Sequence, residues 1–138
     1  MKAVIDTNVL LTIISKRSRF RWIFDAIISG KVKICVSTDI LFEYREILEL
    51  KTNSAIAESV LKYIFASPYL KKTDIYYSFN LISKDRSDNK FVDCAISANS
   101  FIISNDRHFR ELQSIDFPKV NVFTLEEFEK EFKDKILK

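Results

Sequence analysis

One glycine, one histidine, two cysteines and two prolines are spread over 138 residues, and each scarcity removes a class of chemistry. Gly30 alone cannot build a glycine-rich phosphate loop, a dinucleotide fingerprint or a nucleophile elbow. His108 alone cannot supply a zinc site of several imidazoles, and it reads as a residue on a solvated helix face. Cys35 and Cys94 have no histidine nearby and lie among apolar residues, so they read as buried free thiols. A metal bound by this chain therefore meets oxygen ligands, which points to magnesium or manganese.

Long apolar runs are also missing. Nothing approaches the roughly 18–20 residues needed to cross a bilayer, and Asp6 interrupts any apolar stretch that would serve as a signal peptide. The expected location is cytoplasmic. Apolar residues make up 47% and charged residues 30%, a balance that folds around a real core. The length fits one compact domain, residues 1–138. A net charge of +3 permits a nucleic-acid partner without requiring one.

What is present begins with Ala3-Val4-Ile5-Asp6-Thr7-Asn8. A short apolar run suits a strand buried on both faces, and an aspartate at its carboxyl end stands where open α/β sheets hold ligands. Helical spacing then covers Thr7 to about Ser15 and Phe20 to Ile28, with Ser29-Gly30 as the stop. Val32–Val36 is the second strand. Ser37 or Thr38 starts a helix bearing Ile40, Tyr44 and Leu48, and Asn53 or Ser54 starts another that ends before Pro68. The aromatic, β-prone stretch from Thr73 to Ile82 reads as a third strand, with Tyr76, Tyr77 and Phe79 packed in the core. Asp88 opens a further helix. Phe101–Ile103 and Val120–Phe123 are the last strands, and Thr124 with Glu127 forms a capping box for a final helix to about Phe132. Alternation of strand and helix predicts an α/β fold: a doubly wound parallel sheet of about five strands with helices on both faces.

Asp6 and Asp106 share a setting, each just beyond an apolar strand, so a parallel sheet brings both to one edge. Glu43 lies on the helix after the second strand and reaches the same edge. Asp88 opens the helix leading to the fourth strand. Asp93, five residues on, is a turn and a half away and points elsewhere unless it acts through water. Singly, each acid has an ordinary role as a helix cap or surface residue. Clustered, they repel one another and need a cation.

The same residues carry a family resemblance. Val4-Ile5-Asp6-Thr7-Asn8 resembles the opening motif of PIN-domain ribonucleases, and Val36 to Glu43 resembles their second. Asp85 to Ala95 is similar to the third, and Ile102-Ile103-Ser104-Asn105-Asp106 to the fourth, where threonine is usual at the place of Ser104. Order, spacing and length agree over essentially the whole chain. The match is closest to the VapC-related toxin components of toxin–antitoxin modules. The resemblance implies a Mg2+ or Mn2+ site, RNA cleavage, frequent homodimers and inhibition by an antitoxin protein. It assigns the site to Asp6, Glu43, Asp88 and Asp106, with Thr7, Asn8 and Ser104 in support and Asp93 as a further candidate. Asp85 competes with Asp88 for the third position, and the onward distance to Asp106 favours Asp88.

On this reading Asp6, Asp88 and Asp106 hold the metal, while Glu43 orients the attacking water or holds a second ion. Lys84, Arg86, Lys90 and Arg107 flank the acids and suit RNA phosphates. Lys16, Arg17, Arg19 and Arg21 form another basic group, and the Trp22 helix offers either core packing or a partner surface. Two other readings compete. One is a PIN module that binds RNA or a protein without cutting. The other is a receiver-like Mg2+-binding signalling domain, which would need a phosphoryl-accepting aspartate after its third strand.

Overall fold

The computed structural model describes residues 1–138. Its strands are β1 (Lys2–Ile5), β2 (Lys33–Val36), β3 (Lys71–Lys72), β4 (Phe101–Ile103) and β5 (Val122–Phe123), joined in one parallel sheet of order β3-β2-β1-β4-β5. Helices α1 (Thr7–Ile14) and α2 (Arg21–Ile28) link β1 to β2. α3 (Thr38–Lys51) and α4 (Ser54–Ala66) link β2 to β3, α5 (Asn89–Ala98) leads into β4, and α6 (Leu125–Leu137) follows β5. Two 3-10 segments, Arg86–Asp88 and Arg107–Ser114, precede α5 and follow β4. No helix is long and apolar enough to cross a membrane.

Ala3, Val4 and Ile5 are all buried, as are Ile34, Cys35 and Val36. Successive strand residues face opposite sides, so consecutive burial means that both faces of the sheet are covered. Both thiols lie inside this core as free cysteines, and burial pushes each above its ordinary pKa. The doubly wound sheet expected from the alternation is the one observed.

Chain order sets where a ligand can sit. From β1 the chain moves through β2 to β3 on one side, and α5 then returns it to β4 on the other side of β1. Sheets of this kind hold ligands beyond the carboxyl ends of the strands flanking such a reversal. Here the flanking strands are β1 and β4, with Ile5 in register with Ile103. The Asp6 N–H donates to the Ile103 carbonyl at 3.1 Å, which extends the pairing to the first acid.

Local signals at the helix ends hold. The Ser37 hydroxyl accepts the Ile40 N–H, and the Asn53 amide oxygen accepts that of Ile56. Thr124 and Glu127 make both halves of the capping box, at 3.1 and 3.0 Å, and α6 runs on past Phe132 to Leu137. Gly30 closes α2 at φ +84°, where an added Cβ would stand 2.3 Å from the Tyr69 ring. Trp22 stacks on Phe128 and donates its indole N–H to Glu129 at 3.0 Å, so it packs against the molecule itself.

The third strand is a correction. It is not Thr73–Ile82 but the two residues Lys71–Lys72, and residues 73–82 run irregularly along the surface. Tyr76 and Tyr77 are 89% and 65% exposed, not packed in the core. Aromatic β-propensity measures packing on a pleated surface more than any backbone preference. Here side chains of α5 take the place of a neighbouring strand. Asn89 accepts the Ile82 N–H at 2.8 Å and donates back to the Ile82 carbonyl at 3.0 Å, while Asp93 accepts the Phe79 N–H at 3.1 Å.

Urea denaturation separates the two readings of this segment. Tyr76→Ala should change stability by about 0.5 kcal/mol or less, whereas Phe91→Ala in the core should cost about 3–5 kcal/mol. A loss of the larger size at Tyr76 would restore the buried strand.

Candidate metal centre

Asp6 stands just past β1 and is only 6% exposed. An aspartate before a helix usually caps it, but this side chain makes no cap hydrogen bond to α1. Its Oδ2 instead accepts the hydroxyl of Ser104 from the end of β4, at 2.7 Å. The same Ser104 oxygen accepts the backbone N–H of Asp106 at 3.0 Å, so one hydroxyl ties two acid-bearing segments together. Serine supplies everything these bonds need, and the extra methyl of a threonine plays no part in them.

Glu43 arrives from α3. Its neighbour Tyr44 is fully buried, and the Tyr44 hydroxyl donates to the Ile5 carbonyl, which fixes α3 against the end of β1. One Glu43 oxygen accepts the Thr7 hydroxyl, and the other accepts the Lys90 ammonium at 2.7 Å. Lys90, expected to meet RNA phosphate, is therefore the counter-charge of Glu43.

Asp88 ends the first 3-10 segment where α5 begins, is buried, and makes no cap bond either. Its Oδ2 is 3.3 Å from His108 Nδ1, which also lies 3.5 Å from Asp106 Oδ1 and 4.0 Å from Asp85 Oδ2. His108 lies on a helical segment with its side chain 38% exposed, as expected, but its ring also faces the acids, which the sequence did not suggest. Asp106 Oδ1 caps the second 3-10 segment by accepting the His108 N–H at 2.9 Å, and this tight turn folds the ring back onto the carboxylates. Asp85 caps the first 3-10 segment, its Oδ1 accepting both the N–H and the hydroxyl of Ser87.

Asp93 lies apart from this group, committed to the Phe79 N–H as its offset along α5 implied. Asn8 is exposed, and no hydrogen bond joins its side chain to the acids. Asn105 has a part that the sequence did not suggest: it accepts the Leu125 N–H at 2.9 Å and ties the start of α6 to the end of β4. Among the basic residues, Arg19 is held by Glu129, and Arg21 by Asp25 and the Ile14 carbonyl. Lys84 and Arg107 stay exposed and line a cleft of about 530 Å³ with Asp106, His108 and Arg110. Arg86 is exposed at the start of the first 3-10 segment, between Asp85 and Asp88.

The acids feel one another. Burial pushes the Asp6 carboxyl above its ordinary range, the Ser104 hydroxyl pulls it back, and the charges of Asp106 and Glu43 push it up again. Asp88 is pushed up to about 6, chiefly by burial and then by Asp85; the His108 contact opposes this, and Asp106 and Asp6 add to it. Asp6, Asp88 and Asp106 stand near enough for their charges to raise one another. The group whose ligand atoms come within 4.8 Å of one another is Asp85, Asp88 and His108. Carboxylate oxygens so placed suit a divalent cation.

Comparison with known proteins bears on the fold. A family model described as a PIN domain matches residues 2–108. No curated protein matches the sequence. Among solved structures, the fold is similar to VapBC2 from Rickettsia felis bound to a DNA fragment from its promoter, with a TM-score of 0.63 at 15% identity over 90% of this chain and 98% of that one. DNA-bound VapBC from Salmonella typhimurium gives 0.60 at 17% identity over 91% and 98%. FitAcB from Neisseria gonorrhoeae gives 0.56 at 16% over 89% and 97%. At these identities the likeness concerns the fold.

Because the folded state raises the Asp88 carboxyl, it favours the protonated acid. That contribution is complete below the ordinary aspartate range, near about 3.9, and is lost as pH rises through about 6. In EDTA, Asp88→Asn should therefore gain stability relative to the wild type between pH 4 and 7. Chemical denaturation across this window measures the difference, and a flat difference would remove the electrostatic account of the site.

Proposed function

Since this chain belongs to the PIN-domain family, we propose that it is a metal-dependent ribonuclease that hydrolyses RNA phosphodiester bonds through Asp6, Glu43, Asp88 and Asp106, and that it serves as the toxin of a toxin–antitoxin module. Supporting this reading, Asp6 and Asp106 follow the paired strands β1 and β4, their charges act on Asp88, and neither Asp6 nor Asp88 is used as a cap. The nuclease unit spans residues 1–138, and its partners are RNA, an antitoxin protein and a second copy of the chain. Likeness to VapBC structures supports the antitoxin.

Asp6, Asp88 and Asp106 would hold Mg2+ or Mn2+, which supplies a lowered pKa for water and stabilises charge on the phosphate. Ser104 holds Asp6 in place. Glu43, gripped by Thr7 and Lys90, keeps a second lone pair on each oxygen and orients the attacking water. Lys84 and Arg107, in the cleft with Asp106, hold flanking phosphates, and Arg86 extends this track. Tyr76 and Tyr77, exposed on their loop, offer faces for unpaired bases. A receiver-like mechanism has no support, because β3 is an edge strand separated from β1 by β2.

The purified protein should cut a mixed RNA pool with Mg2+ or Mn2+ and stop in EDTA. Asp6→Asn/Asp106→Asn should lower the rate by about 100-fold or more. A folded, metal-loaded wild type that binds RNA without cutting it would favour the non-cleaving module.

RNA binding by the Asp6→Asn protein should weaken with salt. Lys84→Ala and Arg107→Ala should each reduce the slope of log affinity against log salt by roughly 0.7. An unchanged slope would take these two residues off the phosphate track.

A further inference from the structure

His108 stands among three carboxylates that receive no other cation. No lysine or arginine nitrogen lies within 4.0 Å of Asp85, Asp88 or Asp106, since Lys90 is spent on Glu43. One imidazole nitrogen carries at most one proton, so it cannot satisfy three acids by hydrogen bonding. The second oxygens are informative as well. Asp85 uses Oδ1 on Ser87 and turns Oδ2 toward the ring. The Asp88 side chain has no hydrogen-bond partner but His108.

The spacing is that of ligands around an ion. Two ligands bonded at about 2.1 Å lie about 3.0 Å apart at a right angle, about 3.4 Å at the tetrahedral angle and about 4.2 Å in line. His108 Nδ1 is 3.3 Å from Asp88 Oδ2, 3.5 Å from Asp106 Oδ1 and 4.0 Å from Asp85 Oδ2. Single ligand atoms from Asp85, Asp88 and His108 all fall within 4.8 Å of one another.

We propose that His108, Asp85 and Asp88 form a second divalent-metal site, selective for nitrogen-accepting ions of the zinc class and sharing Asp88 with the oxygen-lined centre beside Asp6. Imidazole selects the ion: Zn2+ and Co2+ accept nitrogen readily, whereas Mg2+ keeps oxygen ligands and its water. The two buried cysteines take no part, lying inside the core away from this edge. The site deepens the metal reading of this edge but does not depend on RNA being cut.

The chain has a single histidine, so its imidazole proton signals are assigned without ambiguity. EDTA-treated protein at neutral pH is titrated with Zn2+ and separately with Mg2+, followed by NMR and by calorimetry. Zn2+ should move the His108 signals to saturation at one equivalent, and the smaller shift that Mg2+ causes through Asp88 and Asp106 should not reproduce the Zn2+-bound spectrum. His108→Gln and Asp85→Asn should each weaken this Zn2+ site at least tenfold. The amide oxygen that Asp85→Asn leaves in place can still cap the 3-10 segment, so this variant keeps the local fold. Asp6→Asn should retain the Zn2+ response while losing Mg2+ affinity and RNA cleavage, which separates the two sites. An imidazole that responds to pH but not to Zn2+ is a built-in cation and overturns the proposal. Equal Zn2+ affinity in wild type and His108→Gln overturns it too.

Discussion

Pairing of β1 with β4 is the constraint on which the acidic edge rests. With Ile5 set against Ile103, Asp6 and Ser104 become neighbours although 98 positions separate them in sequence. The Ser104 hydroxyl then does two jobs with one oxygen, donating to a buried carboxylate and accepting the N–H of the next acid. A slip of one residue would turn every core side chain of the strand to the opposite face. Ala3, Val4 and Ile5 are buried among helices on both sides, so the core holds the register that the site requires.

Burying carboxylates together is costly, because low dielectric strengthens their repulsion while water no longer screens it. The fold meets this cost with partners drawn from other parts of the chain. Asp6 has Ser104, Glu43 has Thr7 and Lys90, and Asp88 has His108. Lys90 is the one lysine or arginine among these partners. The rest of the repulsion remains, visible in the raised carboxyls of Asp6 and Asp88, and it is this remainder that favours a divalent ion.

Asp6 and Asp106 were legible in the sequence because strand ends in a parallel sheet share an edge whatever the details of packing. The position of Glu43 on its helix followed from the pattern, and the offset of Asp93 along α5 matches its hydrogen bond to the Phe79 N–H. The sheet, the capping box and the Gly30 stop were legible for the same reason: each follows from local pattern alone. Failures came where side chains replaced backbone. Nothing local marks the Asn89 amide as the partner of Ile82, so a β-prone stretch read as a strand. Nor does any spacing show that Lys90 turns to Glu43, or that a 3-10 turn brings His108 back to Asp88. These depend on contacts over 7 to 47 residues, which periodicity does not carry.

α5 has a mechanical consequence. Asp88 stands at its start, and Asn89 and Asp93, four residues apart on the same side, grip the loop that displays Tyr76 and Tyr77. The loop and the acid are thus mounted on one rigid rod. The tyrosine-bearing loop and the acidic edge are therefore anchored to the same helix.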